Sequence, residues 1–238
     1  MRLRPRLTGG ATLLLVLLAS FNSHAVSIEP FEARYHVYRA DSHVANSKMS
    51  LKKENAEWVW SMHTEPRGMY SWLTKKRPFS KTHLQSTPSG LQLLLEQSGD
   101  HAQKPAQESS WFDYTHLIIY HMKGTTIDQI KLPGEVYNYH SVHTLYPLML
   151  EQQTTSLKIN FYRNGSISTS TLTLEKEIEI PERKSTIKVD KVTQKFDRSD
   201  KQMIYYYQGE TLAPLKIEQI KPGKDSSVMW RVSATRQP

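Results

Sequence analysis

KINFYRNGSISTSTLTL, residues 158–174, decides the fold. Asn164–Gly165 divides it, and Asn-Gly supplies the two positive φ values that a type I′ hairpin turn needs. Before the turn, Leu157, Ile159 and Phe161 share one face. After it, Leu172, Leu174, Ile178 and Ile180 keep one parity, with Lys176 as the exception. A period of two is that of a half-buried strand. This reading predicts an antiparallel hairpin, and the same period recurs across the chain.

Phe31, Ala33, Tyr35 and Val37 form one such set, and Trp58, Trp60 and Met62 another. Leu91, Leu93 and Leu95 follow, then Met203, Tyr205 and Tyr207. Val228, Trp230, Val232 and Ala234 close the series. Within 186–196 the parity moves from Ile187 and Val189 to Val192 and Phe196, which predicts a bulge near Lys191. Segment 98–109 (SGDHAQKPAQES) is polar and reads as a loop. The spacing of about a dozen short strands predicts an all-β, mainly antiparallel fold: a curved sheet or partial β-barrel. One apolar face of that sheet must be covered.

The cover is expected at 138–152. There Val142, Leu145, Tyr146 and Met149 recur at helical spacing, and Asn138 or Ser141 is placed to cap the start. Pro147 lies past the first turn of a helix begun at Ser141, where it removes one backbone bond and clashes one turn back. The expectation is one short kinked helix, or two pieces, against the concave face. This is also the element expected to move if a ligand enters.

The N-terminus has the three parts of an export signal. Arg2, Arg4 and Arg6 precede the apolar ATLLLVLLASF, and Ser23 and Ala25 are the small residues of a cleavage site. The expected division is a cleaved signal peptide, 1–25, and a single β-rich periplasmic domain, 26–238. No later stretch is apolar enough to span a membrane as a helix. The chain has no cysteine, so cysteine nucleophiles, thiolate metal sites, redox motifs and a lipid-modified cysteine are all excluded. Three of the 31 basic residues and none of the 23 acids fall in 1–25, which leaves a formal charge of +5 on 26–238. That balance suits contact with anionic lipid or wall polymer, and equally simple solubility.

No motif announces catalysis. GxSxG, P-loop, dinucleotide-binding and calcium-loop patterns are missing. His140 and His143 are neighbours on a helix, but a catalytic zinc site needs at least three protein ligands. They are expected at the border of the helix, tied to carbonyls, with no metal and no cofactor. RGMYSWLTKKRPFSK, residues 67–81, interleaves aromatic and basic residues. Two readings stay open: Trp72 and Leu73 anchor a loop to the core, or Trp72 enters a membrane interface while Lys75, Lys76 and Arg77 meet headgroups. Export argues against nucleic acid as a partner. Tyr205 and Tyr207 point opposite to Tyr206, so neither face of that strand is expected to be fully dry.

The order FEARYHVYRA, EWVWSMHTE, GMYSWL, PFSKTHLQ, YNYHSVHTLYPL and QGETLAPLKIEQIKPG resembles the exported bacterial family DUF3108, a domain of unknown function, over roughly 28–235. Where members carry an acidic residue followed by a serine in the mid-chain helix, this chain has Asn138 and Ser141. The resemblance implies an all-β periplasmic fold and brings no catalytic residue. A more distant architectural analogy is to periplasmic lipoprotein carriers, whose curved sheet holds a helix.

The leading expectation is a non-enzymatic periplasmic protein that binds an amphiphile, a lipid or lipid-linked glycan, or assists envelope assembly. Its contacts would be Val142, Leu145, Tyr146, Met149, Tyr205 and Tyr207. The alternatives are a module that docks an envelope protein and a hydrolase of envelope polymers.

Overall fold

The computed structural model describes residues 28–87, 90–100, 106–182, 185–209 and 211–236. The expected signal peptide therefore lies outside the described residues.

Fourteen strands form one antiparallel sheet. The first eight are β1 (Phe31–Arg39), β2 (Ser42–Glu54), β3 (Glu57–Pro66), β4 (Pro78–Thr87), β5 (Gly90–Asp100), β6 (Glu108–Asp113), β7 (Ile118–Lys123) and β8 (Thr126–Lys131). A short helix, α1 (Met69–Leu73), joins β3 to β4. After β8 come a 3-10 turn (Ser141–Thr144) and α2 (Leu145–Glu151). Six strands complete the sheet: β9 (Ser156–Arg163), β10 (Ser166–Glu182), β11 (Ser185–Phe196), β12 (Ser199–Tyr207), β13 (Lys216–Ile220) and β14 (Ser227–Arg236). Neighbouring strands are sequence neighbours except where β1 pairs with β14, so β8 and β9 are the two edges. The curved sheet, the absence of closure and the short helical cover agree with the expected fold class.

The Asn-Gly hairpin forms as expected. Asn164 and Gly165 have φ of 45° and 75°, and Arg163 pairs with Ser166 across the turn. The rest of this hairpin departs from expectation. Glu175 faces Lys191 but Ile178 faces Val189, so one extra residue sits in β10, and Glu177 takes φ of 52°. A bulge reverses the side-chain parity beyond it. Leu172 and Leu174 therefore join the main core, while Ile178 and Ile180 join a second cluster with Val189, Ile204, Tyr206 and Leu215. The bulge expected near Lys191 lies instead on its partner strand. The parity change in β11 arises because Ile187 and Val189 serve the second cluster and Val192 the main core. β14 also differs: Trp230 packs on the second cluster, and Val232 is exposed. The polar segment 98–109 is partly strand, since β5 runs to Asp100 and β6 starts at Glu108.

The gap between the edges is bridged by the segment after β8. Tyr137 pairs in parallel with Phe161; its N–H donates to Asn160 O (2.9 Å) and its carbonyl accepts from Tyr162 N (2.8 Å). Side chains complete the seam. Tyr162 of β9 lies at hydrogen-bond distance from Ser110 Oγ of β6 (2.7 Å) and His121 Nδ1 of β7 (3.1 Å). Phe112 meets the Tyr162 ring edge-on at 5.1 Å.

Gly165 is fixed by this seam as well as by its turn. A Cβ there would stand 2.7 Å from His121 Cδ2. Gly165→Ala is expected to destabilise the fold by roughly 2 kcal/mol, from the left-handed backbone cost plus the clash. Chemical denaturation should show it, with Asn164→Gly, which keeps the turn, costing less.

Candidate functional site

The 3-10 turn and α2 occupy the concave face. Pro147 explains their division: α2 starts at Leu145, so the proline falls in its first turn, where the missing N–H is not needed. The start is held by Asn138, whose Oδ1 accepts from the backbone N–H of His140 (3.0 Å) and Ser141 (2.9 Å). Ser141 Oγ accepts in return from Asn138 N (2.9 Å).

All six side chains expected to contact an amphiphile meet here. Val142, Leu145, Tyr146, Met149, Tyr205 and Tyr207 are buried in the main core. The Tyr146 and Tyr207 rings stack at 4.0 Å. Together they fill the concavity. Each tyrosine hydroxyl has a partner, as its polarity requires. Tyr205 donates to Gln194 Oε1 (3.0 Å), Tyr207 pairs with His143 Nδ1 (2.7 Å), and Tyr206 on the opposite face donates to Glu218 Oε2 (3.0 Å). Tyr146 donates to Asp190 Oδ2 (3.0 Å).

His140 and His143 are not at a helix border. Both are buried, and both stack on Trp60, at 6.1 and 5.1 Å between ring centroids. His140 uses both ring nitrogens on hydroxyls, Nδ1 with Thr82 (2.7 Å) and Nε2 with Ser80 (3.0 Å). Their partners are side-chain hydroxyls rather than carbonyls. Burial pushes both imidazoles down to about 3.

A polar row that alternation did not foresee runs beside them. β5 carries an extra residue at Leu94, since His83 faces Leu95 but Leu84 faces Leu93. The shift brings Glu96 onto the face of Thr82, opposite Ser110, which in turn faces His121. Burial pushes the Glu96 carboxyl up to about 7, a hydrogen bond with Asn138 opposes this, and the charge of Glu108 adds to it. The Ser110–His121 contact (3.0 Å) brings together two residue types that hydrolases use. Here the same imidazole nitrogen also meets Tyr162, and serine and histidine are both buried in the seam. That arrangement ties β6, β7 and β9 together and leaves the hydroxyl no open approach to a substrate. Lys201 is buried as well, with Nζ on Tyr139 Oη and over the Tyr139 ring at 4.7 Å. Burial, then the charges of Arg163 and Lys221, lower its amine to about 8.

The exposed face holds the opposite arrangement. In α1, Met69, Trp72 and Leu73 are 80%, 91% and 79% exposed. The reading of Trp72 and Leu73 as anchors to the core is corrected by these values. Lys75, Lys76 and Arg77 follow directly and are also exposed. The loop is held at its base: Arg67 N donates to Val44 O (2.8 Å), and the Arg67 guanidinium meets His43 Nδ1 (2.9 Å). An apolar tip beside cations is a feature that water does not favour.

No family model matches the chain, and no curated protein matches it. Among solved structures, it is similar to a β-barrel-like protein of the domain of unknown function DUF1849 from Brucella abortus, with a TM-score of 0.62 and 8% identity, over 90% of this chain and 100% of that one. The fold is β-barrel-like. At that identity the likeness speaks for architecture alone.

The buried titratable groups set opposite pH dependences. An imidazole held near 3 in the fold binds its proton near 6.5 once unfolded, so His140 and His143 contribute stability above 6.5 that is lost as pH falls below it. Glu96 acts the other way: its contribution is present below 4.5 and is lost as pH rises toward 7. Glu96→Gln is therefore expected to raise the unfolding temperature at pH 8 by roughly 3 °C, with little change at pH 4. Equal shifts at both values, measured by thermal unfolding, would refute this assignment.

Proposed function

We propose that the protein is a non-enzymatic envelope protein that binds amphiphiles at an anionic lipid surface through the 67–77 loop. The supporting observation is α1, whose apolar side chains Met69, Trp72 and Leu73 project into solvent beside Lys75, Lys76 and Arg77. Indole and aliphatic side chains gain by leaving water for the acyl boundary, and each nearby cation adds about 1 kcal/mol at an anionic surface. Among the described residues no helix is long and apolar enough to cross a membrane. A peripheral mode of contact is consistent with that.

The packed concavity directs the reading outward. An acyl chain entering there would have to displace Val142, Leu145 and Met149, which lie in the main core. Export to the periplasm, from the pattern of Met1–Ala25, and the resemblance to DUF3108 belong to the same proposal. The alternative of docking a protein along the edge strand β8 has less support, because Asp128 and Lys131 put charges on that edge, a feature that opposes strand addition.

Vesicle sedimentation tests the reading. The full mature chain is expected to sediment with phosphatidylglycerol-containing vesicles, less with pure phosphatidylcholine, and less again as salt screens the lysines. Trp72→Ala should weaken capture roughly ten-fold with unchanged circular dichroism. Equal capture of the variant and the wild type would count against the loop as the contact.

A further inference from the structure

Beside the loop, the convex face of β14, β1, β2 and β3 carries an open groove of about 650 Å³. Its wall is a cross-strand row. Arg34 of β1 faces Lys48 of β2, which faces His63 of β3. Arg77 adds a third permanent cation to Arg34 and Lys48. His36 lines the groove one pair further along β1, with its imidazole held below the usual range by burial, and Glu65 is the carboxylate among the lining residues. Like charges directly opposite on neighbouring strands destabilise a sheet. Glu32 is the carboxylate that meets this pair: it binds Lys48 (2.9 Å), and Lys48, Arg34 and Lys52 together hold its carboxyl below the usual range, one negative charge among three positive ones. At the base of the loop the His36 and His43 rings lie 4.2 Å apart, and the Arg67 guanidinium donates to His43 Nδ1.

We propose that this groove binds the phosphate-bearing headgroup of an anionic lipid whose acyl chains remain in the bilayer. Three features of the groove support this. An anion between Arg34 and Lys48 turns a repulsive pair into a shared site, since charge-assisted hydrogen bonds to phosphate are the strong ones. The volume lies within the range of small-ligand pockets, which leaves room for a headgroup larger than phosphate alone. Asn46 and Ser233 place an amide and a hydroxyl group in the same lining, suited to the hydroxyls of a glycerol or sugar. Arg77 belongs both to the groove and to the loop, which links the two, five positions along the chain from Trp72. The proposal deepens the loop reading by naming the chemical group recognised, and it rests on that reading for the lipid source.

The test uses the full mature chain, glycerol phosphate as the soluble probe, and vesicles of phosphatidylglycerol in phosphatidylcholine. Glycerol phosphate is expected to shift the His36 and His63 ring signals saturably in NMR spectra. Arg34→Gln/Lys48→Gln should abolish those shifts and weaken vesicle capture roughly ten-fold or more, with circular dichroism unchanged. Trp72→Ala should keep the shifts while losing vesicle capture. No shifts in the wild type, or shifts that survive the double substitution, would overturn the groove as a phosphate site. Shifts lost in the double variant with full vesicle capture would mean that the groove takes free phosphate, which overturns the headgroup assignment. Full capture by Trp72→Ala, with loss in the double variant, would remove the loop reading and leave the groove standing.

Discussion

The structure depends on one constraint: a curved sheet of this size has an apolar concave face that its own strands cannot cover. Segment 138–151 covers it. The cover works because its polar groups are satisfied before it is buried. Asn138 accepts the free N–H groups at the start of the 3-10 turn, and His140 and His143 use hydroxyls of β4 and β12. Trp60 lies against both imidazoles. Its Nε1–H has no hydrogen-bond partner among the described residues. Leaving a buried donor unpaired costs about 1–3 kcal/mol, so the indole contributes through contact area rather than polarity.

Filling the interior has two consequences. First, the sheet needs no fourteen-strand closure by backbone bonds. Tyr137 bridges the gap, and Tyr162, Ser110 and His121 close it with side chains. Residues that on paper resemble hydrolase chemistry are here part of a seam. Second, the exposed apolar side chains and the open groove lie on the outside. The exposed surface offers the α1 tip and the cationic groove beside it, and the two share Arg77. The likeness to the DUF1849 structure extends over the architecture alone.

Much of the fold is legible in the sequence because it rests on local rules. Asn164–Gly165 specifies its turn by φ alone, and Phe31–Tyr35 shows its buried parity directly. Tyr206, by contrast, is buried in the second cluster, so both faces of the tyrosine strand are covered, contrary to the expectation that neither would be fully dry. Pro147 signals a kink or a division of the helix, and the structure has a 3-10 turn followed by α2. The misread elements share a cause: parity carries through a strand only if the strand has no extra residue. Lys176, the odd residue in an otherwise regular series, was the mark of the β10 bulge, whereas Leu94 gives no sign of the shift that turns Glu96 inward. The site is less legible still. Whether Trp72 anchors a loop or projects from it depends on the path of the chain between β3 and β4, and no periodicity encodes that. The groove arises from residues on four strands, whose rows exist only once the register is set.

The account stands on the 138–151 segment being core rather than lid. Amide hydrogen exchange under native conditions tests this most directly, because it separates global unfolding from local opening. The account predicts that the backbone N–H of Met149 and its neighbours in α2 exchanges only with global unfolding, at the same free energy as the central strands β1 and β2. Exchange of α2 through a separate opening of much lower free energy, with those strands still protected, would contradict it and return the concave face to the ligand.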